Sequence, residues 1–386
     1  MGYSNHSMVH SRNPINFHQR KLSYDFASIP SIHCRASKYL GKIVAHAMLQ
    51  TSIQTVSISL IAVIFVLAST RCLLPFSERR AVQAEKKQQD LNQFNPSCKW
   101  RFMDYTPSPY EKYWVDNVDE LQKNVCEESN KQTREISAWT NGFSSKRPPL
   151  DIFSSFTFQN ECTGETSVDY IEPLAGLTRS PLFCLYGQDH IVSKDYLVVS
   201  WNVSNKLQGD NTENYKPRAY YFDLGASTFN SGAGGASQSW IVEMYEARGV
   251  RWDGIFAWEM TPHAPKEVWD SIPDRLKPIY HWYNIPVNPE PGHGDNALEY
   301  VRRVARKEDF VLMKLDIDST PVEEAIINQI MTDSENLIDE LYFEHHVHTP
   351  PMFPYWGVLP ESTALKDTYR IFSTLRNKGV IAHAWV

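Results

Sequence analysis

Tyr220-Tyr-Phe-Asp-Leu-Gly-Ala-Ser227, the glycines Gly232, Gly234 and Gly235, and Ile255-Phe-Ala-Trp-Glu259 read together as one unit. An apolar run ending in Asp-x-Gly, a small-residue turn, a helical stretch and a second apolar run closing on an acid follow in that order. An α/β domain uses this order to place an adenosine-containing cofactor. The glycines admit close backbone approach, a helix N-terminus offers N–H groups, and a carboxylate ending the second strand accepts from two ribose hydroxyls.

From Arg218 onward apolar strands alternate with amphipathic helices, the pattern of a largely parallel sheet covered on both faces. Strands are predicted over 219–224, 253–258, 278–283, 309–316, 338–344 and 380–386. Between them, 237–248 places Trp240, Ile241, Met244 and Tyr245 at helical spacing and stops at Gly249. A helix over 295–306 pairs Glu299 with Arg303, and Thr320-Pro-Val-Glu323 opens another as cap, first-turn proline and acid. The last, about 362–378, ends at Gly379. The predicted class is α/β, with a Rossmann-like, mostly parallel sheet over 218–386 and helices on both faces.

At 386 residues, with 42% hydrophobic and 12% aromatic composition, the chain is long enough for a full core. A formal net charge of -7 gives no support for nucleic-acid binding, and that partner class is set aside. The window 43–70 carries no charge and lies between Lys42 and Arg71, long enough for one membrane-spanning helix, assigned to 47–70. It starts too far from Met1 for a cleaved signal peptide and reads as an uncleaved anchor. Residues 1–46 form a basic tail, 71–96 a polar stalk, and 97–217 an irregular capping region rich in cysteine and aromatics. Cys98, Cys126, Cys162 and Cys184 suit a pair of disulfides in an oxidising lumen, and the sequon Asn202-Val-Ser204 lies on the same side. The expectation is a single-pass type II membrane protein of the Golgi or endoplasmic reticulum. The basic, acid-poor N-terminus leaves an organelle transit segment, and hence an organelle membrane, as the alternative.

In open α/β sheets ligands lie at the carboxyl ends of strands. Four predicted ends carry acids: Asp223, Glu259, the pair Asp316 and Asp318, and Glu344 followed by His345, His346 and His348. In an extended segment Glu344, His346 and His348 share a face, which with Asp316 and Asp318 could hold a divalent metal. The metal candidates are Asp316, Asp318 and His346. The same groups could instead supply a base that deprotonates an acceptor hydroxyl, with His345, His346 and Asp316 as catalytic candidates. Thr349-Pro-Pro-Met-Phe-Pro-Tyr-Trp-Gly357 is the candidate wall of an acceptor site, stiffened by proline and supplied with aromatic area.

Phe222-Asp-Leu-Gly-Ala-Ser227, Ile255-Phe-Ala-Trp-Glu259 and Phe310-Val-Leu-Met-Lys-Leu-Asp-Ile-Asp318 resemble the corresponding segments of FkbM-type S-adenosylmethionine-dependent methyltransferases. The resemblance covers about 218–346. It implies S-adenosylmethionine as cofactor, held by Asp223, Gly225, Ala226 and Ser227 in the first turn and by Glu259 at the ribose. Lys314, Asp316 and Asp318 match the family's Lys-x-Asp-x-Glu-Gly segment, with Asp for Glu and Ser-Thr for the following Gly. The implied reaction is methyl transfer to an oxygen of a glycan or small-molecule acceptor. Two other readings stay open: a luminal glycosyltransferase using Asp316 and Asp318 with a divalent metal, and an inactive binding module.

Overall fold

The computed structural model describes residues 100–140, 148–199, 207, 216–232, 236–360 and 362–386, all within one compact unit that spans Asn92–Val386. The predicted tail, anchor and stalk, Cys98, the sequon at Asn202, Gly234 and Gly235 lie outside the described residues. Among the described residues no helix is long and apolar enough to cross a membrane.

Three short strands, β1 (Trp100–Thr106), β2 (Ser154–Asn160) and β3 (Thr166–Ile171), form an antiparallel sheet. The expectation of an irregular region over 97–217 is therefore corrected. β1 breaks register between Phe102 and Asp104 and is mostly exposed, so its alternation of apolar and polar residues is too weak to read. The helix Pro109–Leu121 starts with Pro109 and is capped by Ser108, whose Oγ accepts from Glu111 N at 3.0 Å. Cys126 is disulfide-bonded to Cys184, and Cys162 is disulfide-bonded as well.

The main sheet contains β4 (Ala219–Leu224), β5 (Gly254–Trp258), β6 (Tyr280–Tyr283), β7 (Phe310–Leu315), β8 (Glu340–Phe343) and β9 (Ile381–Ala384). Its order is β6-β5-β4-β7-β8-β9, and every neighbouring pair is parallel. Taken from β4, this is the doubly wound order 3-2-1-4-5-6, whose binding crevice opens where the winding direction reverses. Here that point lies between β4 and β7.

Both faces are covered because consecutive strand residues point to opposite sides. Phe222, Leu224, Phe256, Trp258, Met313 and Leu315 pack with Leu298 and Val301, Ile326 and Ile330, and Tyr369, Phe372 and Leu375 of three helices. Tyr221, Ile255, Ala257 and Leu312 pack with Ile241, Val242 and Tyr245 of Ser237–Glu246 on the other side. The helices Ala297–Val304, Thr320–Thr332 and Leu365–Asn377 fall where the periodicity placed them, with two local corrections. Glu299 pairs with Arg302 at 2.8 Å and not with Arg303, whose guanidinium lies 5.8 Å from the Tyr300 ring. Ser319, not Thr320, occupies the N-cap.

A buried chain of charges ties the first sheet region to the second. Arg376 Nη1 donates to Tyr105 Oη at 3.0 Å, Glu111 Oε2 at 3.1 Å and the Glu172 carbonyl at 3.0 Å. Its Nε and Nη2 both donate to the Ala382 carbonyl. His383, fully buried in β9, places Nδ1 2.8 Å from Glu172 Oε1 and Nε2 2.9 Å from Glu340 Oε1. Both ring nitrogens face carboxylate oxygens, which only accept, so the ring is an imidazolium. Burial opposes that charge, but Glu172 and Glu340 raise the His383 pKa to about 9.

The folded value lies above the ordinary 6.5. The stabilisation is therefore complete below pH 6.5 and is lost as pH rises through about 9. Urea unfolding at pH 6.5 and pH 9.5 is expected to show a loss on the order of 3 kcal/mol. His383→Gln is expected to lower stability at pH 6.5 and flatten this dependence.

Candidate functional site

The crevice at the β4 and β7 ends is built by close backbone approach. Gly225 follows β4 with φ +85°, and a Cβ there would lie 1.7 Å from the Asp316 carbonyl oxygen. Only glycine fits. Gly225 N and Ala226 N donate to the Trp258 carbonyl at 3.0 and 2.9 Å. Ser227 N donates to Glu259 Oε2 at 2.7 Å, and Thr261 N to Glu259 Oε1 at 2.6 Å. The amides expected to meet a ligand directly are thus satisfied internally. What the turn offers the cleft is a wall without side chain at Gly225 and the remaining lone pairs of Glu259.

Under this turn lies Lys314, 1% exposed. Its Nζ is 3.3 Å from Asp223 Oδ1, 3.1 Å from Asp316 Oδ2 and donates to the Gly225 carbonyl at 3.0 Å. Burial opposes its charge, yet Asp223 and Asp316 hold its pKa above the usual lysine value. Asp223 and Ala226 are completely buried. Neither lines the cleft, so both leave the set of predicted cofactor contacts. Asp223 acts by neutralising Lys314.

Gly225, Ser227, Glu259, Asp316, Asp318 and His346 line one cleft of about 840 Å³, within the usual range of ligand pockets. Met352, Pro354, Tyr355 and Trp356, inside the predicted acceptor loop, also line it. Glu344 sits in the same cleft, held by Arg179 Nη2 and by Trp356 Nε1, which donates to Oε1 at 3.1 Å. Its other oxygen is 3.1 Å from His346 Nε2. Against the upward push of burial, His346 and Arg179 hold the Glu344 carboxyl well below the usual range. Glu344 in turn raises the His346 pKa against burial.

The three histidines separate. His346 faces the cleft, whereas His345 is buried against Phe343 with Nδ1 2.8 Å from Thr368 Oγ1. Burial lowers its pKa to about 4. His348 Nδ1 lies 2.6 Å from the Leu359 carbonyl, so its hydrogen donates there. Neither reaches the cleft: His345 points to the opposite side from Glu344 and His346, as alternation requires, whereas His348 breaks the alternation and turns to the Leu359 carbonyl. His345 is withdrawn as a catalytic candidate.

Asp316 is bound to Lys314, and the groups that converge for a metal are Asp318, Glu344 and His346, with ligand atoms within 4.8 Å of one another. The predicted set changes by exchanging Asp316 for Glu344. Burial and the nearby Glu344 raise the Asp316 pKa to about 6 despite Lys314. Two residues escaped the sequence reading. Arg179 carries no motif of its own and arrives from the capping region. Glu323, 2% exposed, accepts from Ile317 N at 2.9 Å, and burial raises its pKa to about 7. Its place in a first helical turn reads from sequence as a dipole contact.

No protein-family model matches the chain, and no curated protein or solved structure matches it.

Gly225→Ala is expected to destabilise the fold by more than about 2 kcal/mol in thermal unfolding, since strain and a backbone clash add. Gly249→Ala serves as the control. It shares a positive φ of +87° with nothing within 4 Å of its Cβ, and is expected to cost about 1 kcal/mol.

Proposed function

We propose that the chain is an S-adenosylmethionine-dependent O-methyltransferase whose cofactor lies along Gly225, Ser227 and Glu259 and whose acceptor lies toward His346 and Trp356. One observation carries this reading: the first turn, the acid closing the second strand and the acid–histidine end meet in a single cleft at the switch point. Glu259 supports it because, among the described residues, each oxygen accepts one backbone amide, which leaves lone pairs for ribose hydroxyls.

S-adenosylmethionine held there would supply a methyl group to an acceptor hydroxyl oxygen, the C–O bond replacing the C–S bond with its electron pair left on sulfur, and the hydroxyl proton would pass to a base. Positioning supplies most of such a rate. His346, oriented by Glu344, is the group in the cleft suited to receive the proton. A glycan or small secretory metabolite is the proposed acceptor class. The uncharged window at 43–70 and the disulfides support a luminal, membrane-anchored setting in the Golgi or endoplasmic reticulum.

Calorimetric titration of the full chain in detergent with S-adenosylhomocysteine is the test. Micromolar or tighter binding is expected, weakened at least about tenfold by Glu259→Ala, the loss of about 1.4 kcal/mol. Wild-type protein that binds neither S-adenosylmethionine nor S-adenosylhomocysteine overturns the reading.

A further inference from the structure

We propose that Asp318 Oδ1, Glu344 Oε2 and His346 Nε2 form the seat of a single divalent cation, of the manganese or zinc class, at the acceptor end of the cleft. β7 and β8 are parallel neighbours with Leu315 opposite Phe343, so the segments leaving them run side by side. One brings Asp318, the other Glu344 and His346.

The spacing suits coordination. His346 Nε2 lies 3.1 Å from Glu344 Oε2 and 3.9 Å from Asp318 Oδ1. Ligands bound about 2.0–2.2 Å from one ion stand roughly 3 to 4 Å apart. An imidazole with two carboxylates and open positions suits manganese or zinc over calcium.

A second observation comes from outside the trio. Glu344 Oε1 is anchored by Arg179 and by the indole N–H of Trp356, and neither is a candidate ligand. Arg179 is itself fixed, donating from Nη1 to the Ile191 carbonyl at 3.0 Å with its guanidinium 4.9 Å from the Trp356 ring. The clamp takes one oxygen of Glu344 and leaves the other beside His346, as outer partners do for ligating carboxylates. Trp356 and Arg179 thereby act as positioning residues.

The cation seat does not depend on methyl transfer; the chemistry assigned to it does. On that reading the ion would hold the acceptor oxygen and make its proton easier to lose, and His346, then a ligand through Nε2, would give up the role of base, the proton leaving to water. Acceptors with two adjacent oxygens, such as a sugar diol, are then favoured because they chelate.

The test is titration of EDTA-treated full chain with manganese chloride, with free Mn2+ followed by electron paramagnetic resonance. A single bound Mn2+ per chain is expected, weakened at least about tenfold by Asp318→Asn and by His346→Ala. Asp318 is largely exposed, with 79% of its side chain accessible, so its variant keeps the fold. Asp274→Asn, at a distant exposed acid, is expected to change nothing. Absence of Mn2+ and Zn2+ binding, or equal binding by wild type and both variants, overturns the seat. S-adenosylhomocysteine titrated into the same samples separates the two proposals. Cofactor binding without metal removes only the seat, whereas Mn2+ bound with UDP but without S-adenosylhomocysteine keeps the seat and removes the methyl-transfer reading.

Discussion

Lys314 stands where the two halves of the sheet diverge, taken out of water at the end of β7 and enclosed by Asp223, Asp316 and the Gly225 carbonyl. A buried ammonium persists only when opposite charge and hydrogen bonds replace its hydration. Those partners come from β4, from the turn after it and from the segment after β7. The ion pair therefore sets how the lips of the crevice lie. Gly225 completes the arrangement, since backbone meets backbone where any larger residue would part the lips.

A second buried ionic chain performs the equivalent task between regions. Glu111 and Glu172 come from the segment before the main sheet, Arg376 from its last helix, and Glu340 and His383 from neighbouring strands. Removing one member leaves its partner as an uncompensated buried charge, which is far costlier than the net value of the pair. The disulfide between Cys126 and Cys184 restrains the same region covalently. Arg179 reaches the cleft from this region, which thus helps build the site as well as covering the sheet.

The cleft divides by chemistry. One end has a bare backbone wall and a carboxylate braced by two amides. The other gathers Asp316, Asp318, Glu344 and His346, with Lys314 and Arg179 opposing, while Glu323 lies buried behind it. Trp356 belongs to both the wall and the clamp on Glu344. An adenosine at the first end and an oxygen-bearing acceptor at the second would put donor and acceptor on one path.

The sequence by itself determined the six strands and four of the helices around them, though not Pro265–Ser271, because burial on two faces writes continuous apolar runs such as Phe310–Leu315 and spaced stripes such as Ile326 and Ile330. It also located Gly225, Glu259, Asp318 and His346, since strand ends are where a parallel sheet presents side chains to a ligand. Only the tertiary structure decided the rest. Asp223 and Ala226 sink beneath the turn, His348 turns away to the Leu359 carbonyl, Arg179 arrives from more than a hundred residues away, and Glu344 replaces Asp316 beside His346. The physical reason is one of range. Periodicity records which side of an element is buried, whereas the partner of a buried charge depends on where the chain returns after a long excursion, and no local pattern encodes that return.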